Sequence, residues 1–252
     1  MTVLLDLANK IYNYNASLLQ EPKQIVISPA PIPNQVFIMA HGKGSRWMRD
    51  SHNECPSVYK QLLPIDGVPI ILRTYNQLHA IAENNMIVFA PHAFREVLPK
   101  SVEMLSVPMT GIDTILTGIV FTEFLWNHES NLVFLLGDVI FEFELLKRIM
   151  SKEDYQVTFF GRNGGNKYTG KPNKELFAMK VPFECRKDFC NEFLELAFDP
   201  QLFKLFHAQN KLRNSKTVYW NGWTGDIDSY QEYERYYNIL VDYAKEDDKH
   251  AG

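Results

Sequence analysis

The stretch Val36-Phe37-Ile38-Met39-Ala40, running into His41-Gly42-Lys43-Gly44-Ser45-Arg46, constrains this chain more than any other. Five consecutive apolar residues, short and partly β-branched, read as a buried strand. Gly42 and Gly44 let the backbone after it turn tightly and bring its N–H groups close to a ligand. Lys43, Ser45 and Arg46 add two cations and a hydroxyl within a few residues. A loop of this kind after a strand suits a triphosphate. The same residues also satisfy an ordinary strand-to-loop turn, so the reading depends on the rest of the chain.

Beyond this loop the chain alternates regularly. A helical pattern runs from Pro69 to Glu83, then a strand over Met86 to Ala90. Asp113 to Trp126 reads as a helix, Leu132 to Leu136 as a buried strand, and Phe141 to Met150 as a helix again. Val157 to Gly161 and Leu176 to Val181 read as strands. Strands alternating with helices imply an α/β fold, with a largely parallel sheet covered on both faces. Ligands of such sheets bind beyond the carboxyl ends of the strands, where the glycine loop and Asp138 both fall. Ahead of this body, residues 2–20 carry apolar positions at helical spacing, and residues 21–34 hold Pro22, Pro29, Pro31 and Pro33. They predict an N-terminal helical extension and linker over 1–34, before a domain over 35–252. The extension caps the sheet edge or makes a homo-oligomer contact. Lys245 to Lys249 read as a charged, frayed tail.

A formal net charge of -4 with scattered Lys and Arg excludes a basic nucleic-acid face. Substrate anions must be met by a local group of cations. The three cysteines, Cys55, Cys185 and Cys190, are too few and too irregular for a disulfide framework or zinc site. Reduced thiols point to a cytoplasmic protein. Asp6 interrupts the N-terminal leucines, so neither a signal peptide nor a membrane span is read.

A second motif, Lys60-Gln61-Leu62-Leu63-Pro64-Ile65-Asp66-Gly67-Val68-Pro69-Ile70-Ile71, comes fourteen residues after the glycine loop. Together the two resemble the signature of the nucleotidyltransferase superfamily with the GT-A-like fold, over residues 35 to 240. That superfamily includes sugar-phosphate nucleotidyltransferases, cytidylyltransferases and CMP-sugar synthetases. The resemblance implies a three-layer α/β/α, Rossmann-like fold with a mixed, mostly parallel sheet. Two positions depart from the pattern: His41 stands where a small residue is usual, and Tyr59 where proline is usual.

The resemblance also implies roles. Ala40, His41, Gly42, Lys43, Gly44 and Ser45 would meet the nucleotide. Thr110, Gly111, Asp113 and Thr114 would approach base and ribose, although Asp113 or Thr114 also suits a helix cap. Arg46 and Lys60 would be the catalytic cations, Arg46 with Lys43 at the β- and γ-phosphates and Lys60 at the α-phosphate. Gly137-Asp138 places a carboxylate at the tip of a buried strand, which is costly without a partner. In the superfamily such an aspartate binds Mg²⁺; a helix cap near Phe141 is the alternative. Asp226-Ile227-Asp228-Ser229 resembles the superfamily's acidic ending. Asp228 is the expected second metal ligand, with Asp226 as alternative. Ser229 and Glu232 there also form a capping-box pattern. Arg162, Lys167 and Lys171, in a glycine-rich basic stretch, are the acceptor-binding candidates. Tyr219, Trp220 and Trp223 line the pocket or pack in the core.

These features predict an Mg²⁺-dependent nucleotidyltransferase. It joins an NTP, with CTP favoured, to a small phosphorylated acceptor and releases pyrophosphate. A glycosyltransferase is disfavoured because Ile140 breaks any D-x-D after Asp138. A non-catalytic nucleotide-binding module is permitted by His41 and Tyr59.

Overall fold

Val36, Phe37 and Ile38 are fully removed from water, so consecutive residues of the first strand face buried layers on opposite sides. In the computed structural model, residues 33–42, 59–81, 85–107, 114–151, 154–164, 174–199, 201–202 and 204–251 are described. They fall in a compact unit spanning Pro33–Gly252. The expected helix over residues 2–20 lies outside the described residues.

The strands in chain order are β1 (Asn34–Met39), β2 (Pro64–Ile65), β3 (Val68–Pro69), β4 (Asn85–Pro91), β5 (Glu103–Val107), β6 (Asn131–Leu136), β7 (Val139–Ile140), β8 (Val157–Arg162), β9 (Glu175–Val181), β10 (Ser215–Tyr219) and β11 (Gly225–Asp226). The helices are α1 (Ile70–Ile81), α2 (Ile115–Phe121), α3 (Phe143–Ser151), α4 (Arg186–Ala197), α5 (Leu205–Lys211) and α6 (Tyr230–Ala251). Seven strands form the central sheet in the order β10-β8-β9-β6-β1-β4-β5. Every pairing is parallel except the two made by β9. The expected mixed, mostly parallel sheet is therefore present.

Two helix layers cover it. Helices α1, α3 and α6 pack on one another, and α2, α4 and α5 do likewise. Val36, Ile38 and Ala40 belong to a core shared with Ile71 and Leu78 of α1 and Leu145, Leu146 and Ile149 of α3. Phe37 stacks on Phe134, and Trp126 and Phe189 extend that aromatic group. Each fully buried aliphatic or aromatic side chain contributes about 1.5–3 kcal/mol.

The structure corrects one expectation about the C-terminus. Residues 245–249 continue helix α6 instead of fraying. The reason is Asp247, only 8% exposed. Its carboxylate accepts from Gln77 Nε2 at 2.7 Å and Arg73 at 3.3 Å on α1. It also accepts from the Phe143 N–H, the first of α3, at 2.8 Å. One buried anion thus holds three helices together and caps one of them.

Candidate active site

The carboxyl ends of β1 and β6 come together through Gly137. Its N–H donates to Met39 O at 2.9 Å, and a Cβ there would lie 2.8 Å from that of Ala40. Only glycine allows that approach. The chain then turns into β7, which pairs antiparallel with β11 so that Asp226 faces Val139. This short ladder brings Asp138 near Asp226 across almost ninety residues of sequence.

Lys60 reaches the same place from a 3₁₀ turn, Lys60–Leu62. Its Nζ lies 2.6 Å from Asp138 Oδ2 and donates to Ile227 O at 3.4 Å. Burial favours the neutral amine, but Asp138, Asp226 and Asp228 outweigh it and hold the Lys60 pKa above its ordinary value. Tyr59, at the unusual position, packs edge-on against Phe94.

Carboxylate oxygens of Glu175, Asp226 and Asp228 all lie within 4.8 Å of one another. At an effective dielectric constant of about 20, two charges at that separation repel by roughly 3 kcal/mol. Burial pushes the Asp226 carboxyl up, Lys60 pulls it down, and Glu175, Asp228 and Asp138 push it further, to about 8. A group of hard oxygen donors with excess negative charge fits a divalent cation such as Mg²⁺. Asp138, expected to share the metal with Asp228, is not in this trio; its carboxylate is engaged by Lys60. The expected alternative, Asp226, is in it.

Asp228 also stands where the helix cap was expected. The Glu232 N–H donates to Ser229 Oγ at 3.2 Å, and the Asp228 N–H to Glu232 Oε2 at 3.0 Å. Capping fixes the backbone while the Asp228 carboxylate stays with its neighbours. The turn before β11 is braced by Glu142. Its Oε1 accepts from the N–H groups of Trp223 and Thr224, and its own N–H donates to Thr224 Oγ1 at 2.9 Å.

Arg162, one of the acceptor-binding candidates, ends β8 and is only 5% exposed. Its guanidinium donates to Glu175 Oε2 at 2.5 Å, Thr224 O at 3.1 Å and Gly164 O at 3.1 Å. Each of the three guanidinium nitrogens thus makes a hydrogen bond to the fold. Glu175 had no signal in the sequence, since a lone Glu beside Lys174 matches no motif. Only the β8–β9 pairing of Arg162 with Glu175 reveals it.

Ala40 and His41 lie at the end of β1, both buried. The His41 Nε2 donates to Thr114 O at 3.0 Å, and its ring meets Phe89 edge-on. A Cβ on Gly118 would lie 2.1 Å from the imidazole, so this glycine makes room for it. Burial lowers the His41 pKa against Thr114 and Asp138, so the ring is neutral. Gly42 has open space where a Cβ would project. Thr114 is the N-cap of α2, in a reciprocal box with Thr117. Trp223 stacks on Tyr243 in the core. Tyr219 and Trp220 line a cleft of about 270 Å³ with Arg148, Asn221 and Gly222. Lys43, Gly44, Ser45, Arg46, Thr110, Gly111, Asp113, Lys167 and Lys171 lie outside the described residues.

No protein-family model and no curated protein matches the chain by sequence. Solved structures do match it. The inositol-1-phosphate CTP transferase of T. maritima superposes with a TM-score of 0.60 at 13% identity, over 86% of this chain and 98% of that one. A nucleotidyl transferase from Methanothermobacter gives 0.60 at 15%, over 84% and 99%. The CTP:phosphocholine cytidylyltransferase of Streptococcus pneumoniae gives 0.53 at 15%, over 83% and 100%. The chain shares its fold with these solved nucleotidyltransferase structures.

Proposed function

We propose that this chain is a divalent-metal-dependent nucleotidyltransferase that joins an NTP to a small phosphorylated acceptor. One observation carries the reading: Lys60 and Asp138 pair beside the Glu175, Asp226 and Asp228 carboxylates at the carboxyl end of a parallel sheet. Oxygen donors and a half-buried cation at one strand end are what transfer at a phosphorus needs.

An oxygen of the acceptor phosphate attacks the α-phosphorus in line. The bond to the β-phosphate oxygen breaks and pyrophosphate leaves with the electron pair. No protein nucleophile is required, so catalysis consists of positioning and charge stabilisation. Lys60, held protonated by its carboxylates, stabilises negative charge on the α-phosphoryl oxygens as it redistributes. A bound Mg²⁺, held by Asp226 and Asp228 with Glu175 or Asp138, would neutralise phosphate charge. The buried Ala40–His41 strand end and the open backbone at Gly42 form the floor of the nucleotide site. CTP is the favoured nucleotide, from the acidic ending at Asp226 to Ser229 and from relatives in fold that are named for CTP.

The test is a matrix of the four NTPs against pooled phosphorylated metabolites, with Mg²⁺, read as pyrophosphate release. The expected result is acceptor-dependent release that is strongest with CTP. Release with no NTP in any pool rejects catalysis and leaves a nucleotide-binding module. Transfer from a nucleotide sugar without pyrophosphate identifies a glycosyltransferase.

A further inference from the structure

We propose that Arg162 is the positioning residue of this site: it holds Glu175 among the carboxylates and so sets the affinity for a divalent cation. The proposal rests on the nucleotidyltransferase reading for what the cation is used for, and on geometry for how it is held.

Arg162 ends one strand and Glu175 begins the next, as partners in the antiparallel β8–β9 ladder. The register shifts between Phe160 and Gly161, and a Cβ at Gly161 would lie 2.1 Å from Glu175 O. That close passage sets the two side chains side by side. The guanidinium then spans two segments. One terminal nitrogen binds Glu175, and the other binds Thr224 O, two residues before Asp226. A planar, forked cation suits such bridging, and a lysine ammonium does not. The face of Phe177, 5.6 Å away, lies against the guanidinium and limits its orientation. Glu175 lies with Asp226 and Asp228 although the three repel one another. Arg162 offsets that repulsion at Glu175 and joins the segment carrying Glu175 to the one carrying Asp226.

This role makes an unusual prediction. Removing a positive charge near a cation site should tighten divalent binding if the charge alone matters. Removing a positioning residue should weaken it. Mn²⁺ alone, without nucleotide, is titrated into the wild type, R162Q, R162K, E175Q and the R162Q/E175Q double variant by calorimetry. Thermal unfolding in EDTA is followed in parallel. We expect R162Q and E175Q each to weaken Mn²⁺ binding about tenfold or more, as for other residues that support metal ligands. The double variant should bind no worse than the weaker single one, because Arg162 acts through Glu175. R162K should not restore affinity. Mn²⁺ binding at wild-type strength or tighter in R162Q, or full additivity in the double variant, overturns the proposal. If R162Q does not fold, E175Q and R162K decide: wild-type affinity in either is equally fatal. Pyrophosphate release is scored separately on the wild type. Its absence alongside the expected Mn²⁺ pattern rejects the reaction and leaves the positioning role standing.

Discussion

At the scale of single residues, the site is a balance of a few half-buried charges. Lys60 carries the clearest consequence, since its ammonium lies 2.6 Å from Asp138 and is kept charged by three carboxylates. Lys60→Ala should lower kcat by about 100-fold or more, with a smaller rise in KM for the NTP. Steady-state kinetics of pyrophosphate release check this; a change confined to KM would make Lys60 a binding group only. His41 makes a second prediction, on stability. Its folded pKa lies below the ordinary 6.5, so the unfolded chain binds the extra proton as pH falls past that value. Stability should therefore decrease from pH 7 towards pH 5, until the folded pKa is reached. Urea unfolding of His41→Gln, which keeps a donor for Thr114 O, should lack that part of the slope. Cys190 makes a third. Burial, with Glu123, pushes its thiol up to about 12 against the pull of Arg186. Only the thiolate is nucleophilic, so peptide mapping after iodoacetamide at pH 8 should find Cys190 almost unmodified in the native protein.

At the scale of elements, helix α6 shows how a charged C-terminal segment becomes structural. Asp247 binds α1 through Arg73 and Gln77 and caps α3 through Phe143. Asp247→Ala leaves the Arg73 guanidinium, 6% exposed, with an anionic partner removed. The expected cost is about 3–5 kcal/mol, the range for breaking a buried charge pair. Chemical denaturation measures it. A double variant Arg73→Met with Asp247→Leu should recover much of the loss, because the uncompensated charge is then gone. The sequence pattern of α6 hid this. Five charged or polar residues in a row from Lys245 look solvated, and nothing local marks Asp247 as the one facing inward. The strand–helix alternation was legible over β4, β6, β8, β9, α1 and α3, where apolar runs are long and periodic. Helix α2 proved shorter than the stretch 113–126, since Thr122 and the 3₁₀ turn Glu123–Leu125 end it.

At the scale of the whole molecule, the sheet order places the carboxyl ends of β1 and β6 together, and β7 and β11 fold across them. Ligand binding to that end should stabilise the fold as a unit. With Mg²⁺ and CTP near 100 times the dissociation constant, the gain is about 2.7 kcal/mol. Thermal unfolding should shift upwards by several degrees and return on adding EDTA; no shift with any NTP would count against a nucleotide site. None of the described helices is long and apolar enough to cross a membrane. By itself the sequence determined the class of fold, because continuous apolar strands alternating with amphipathic helices bury their surface only in a covered, largely parallel sheet. It also marked Asp138, at the tip of an apolar run, and, through resemblance to the superfamily's motifs, Lys60, Asp226 and Asp228. Tertiary structure alone decided which charges meet. Asp138 faces Lys60, Asp226 and Asp228 gain Glu175 as a third carboxylate, and Arg162 turns inward to hold it. Those partnerships depend on strand register and on close approach at Gly137 and Gly161, which are long-range features of the sheet. Local propensity reports where a chain turns, and only the assembled sheet fixes which side chains lie within a hydrogen bond of one another.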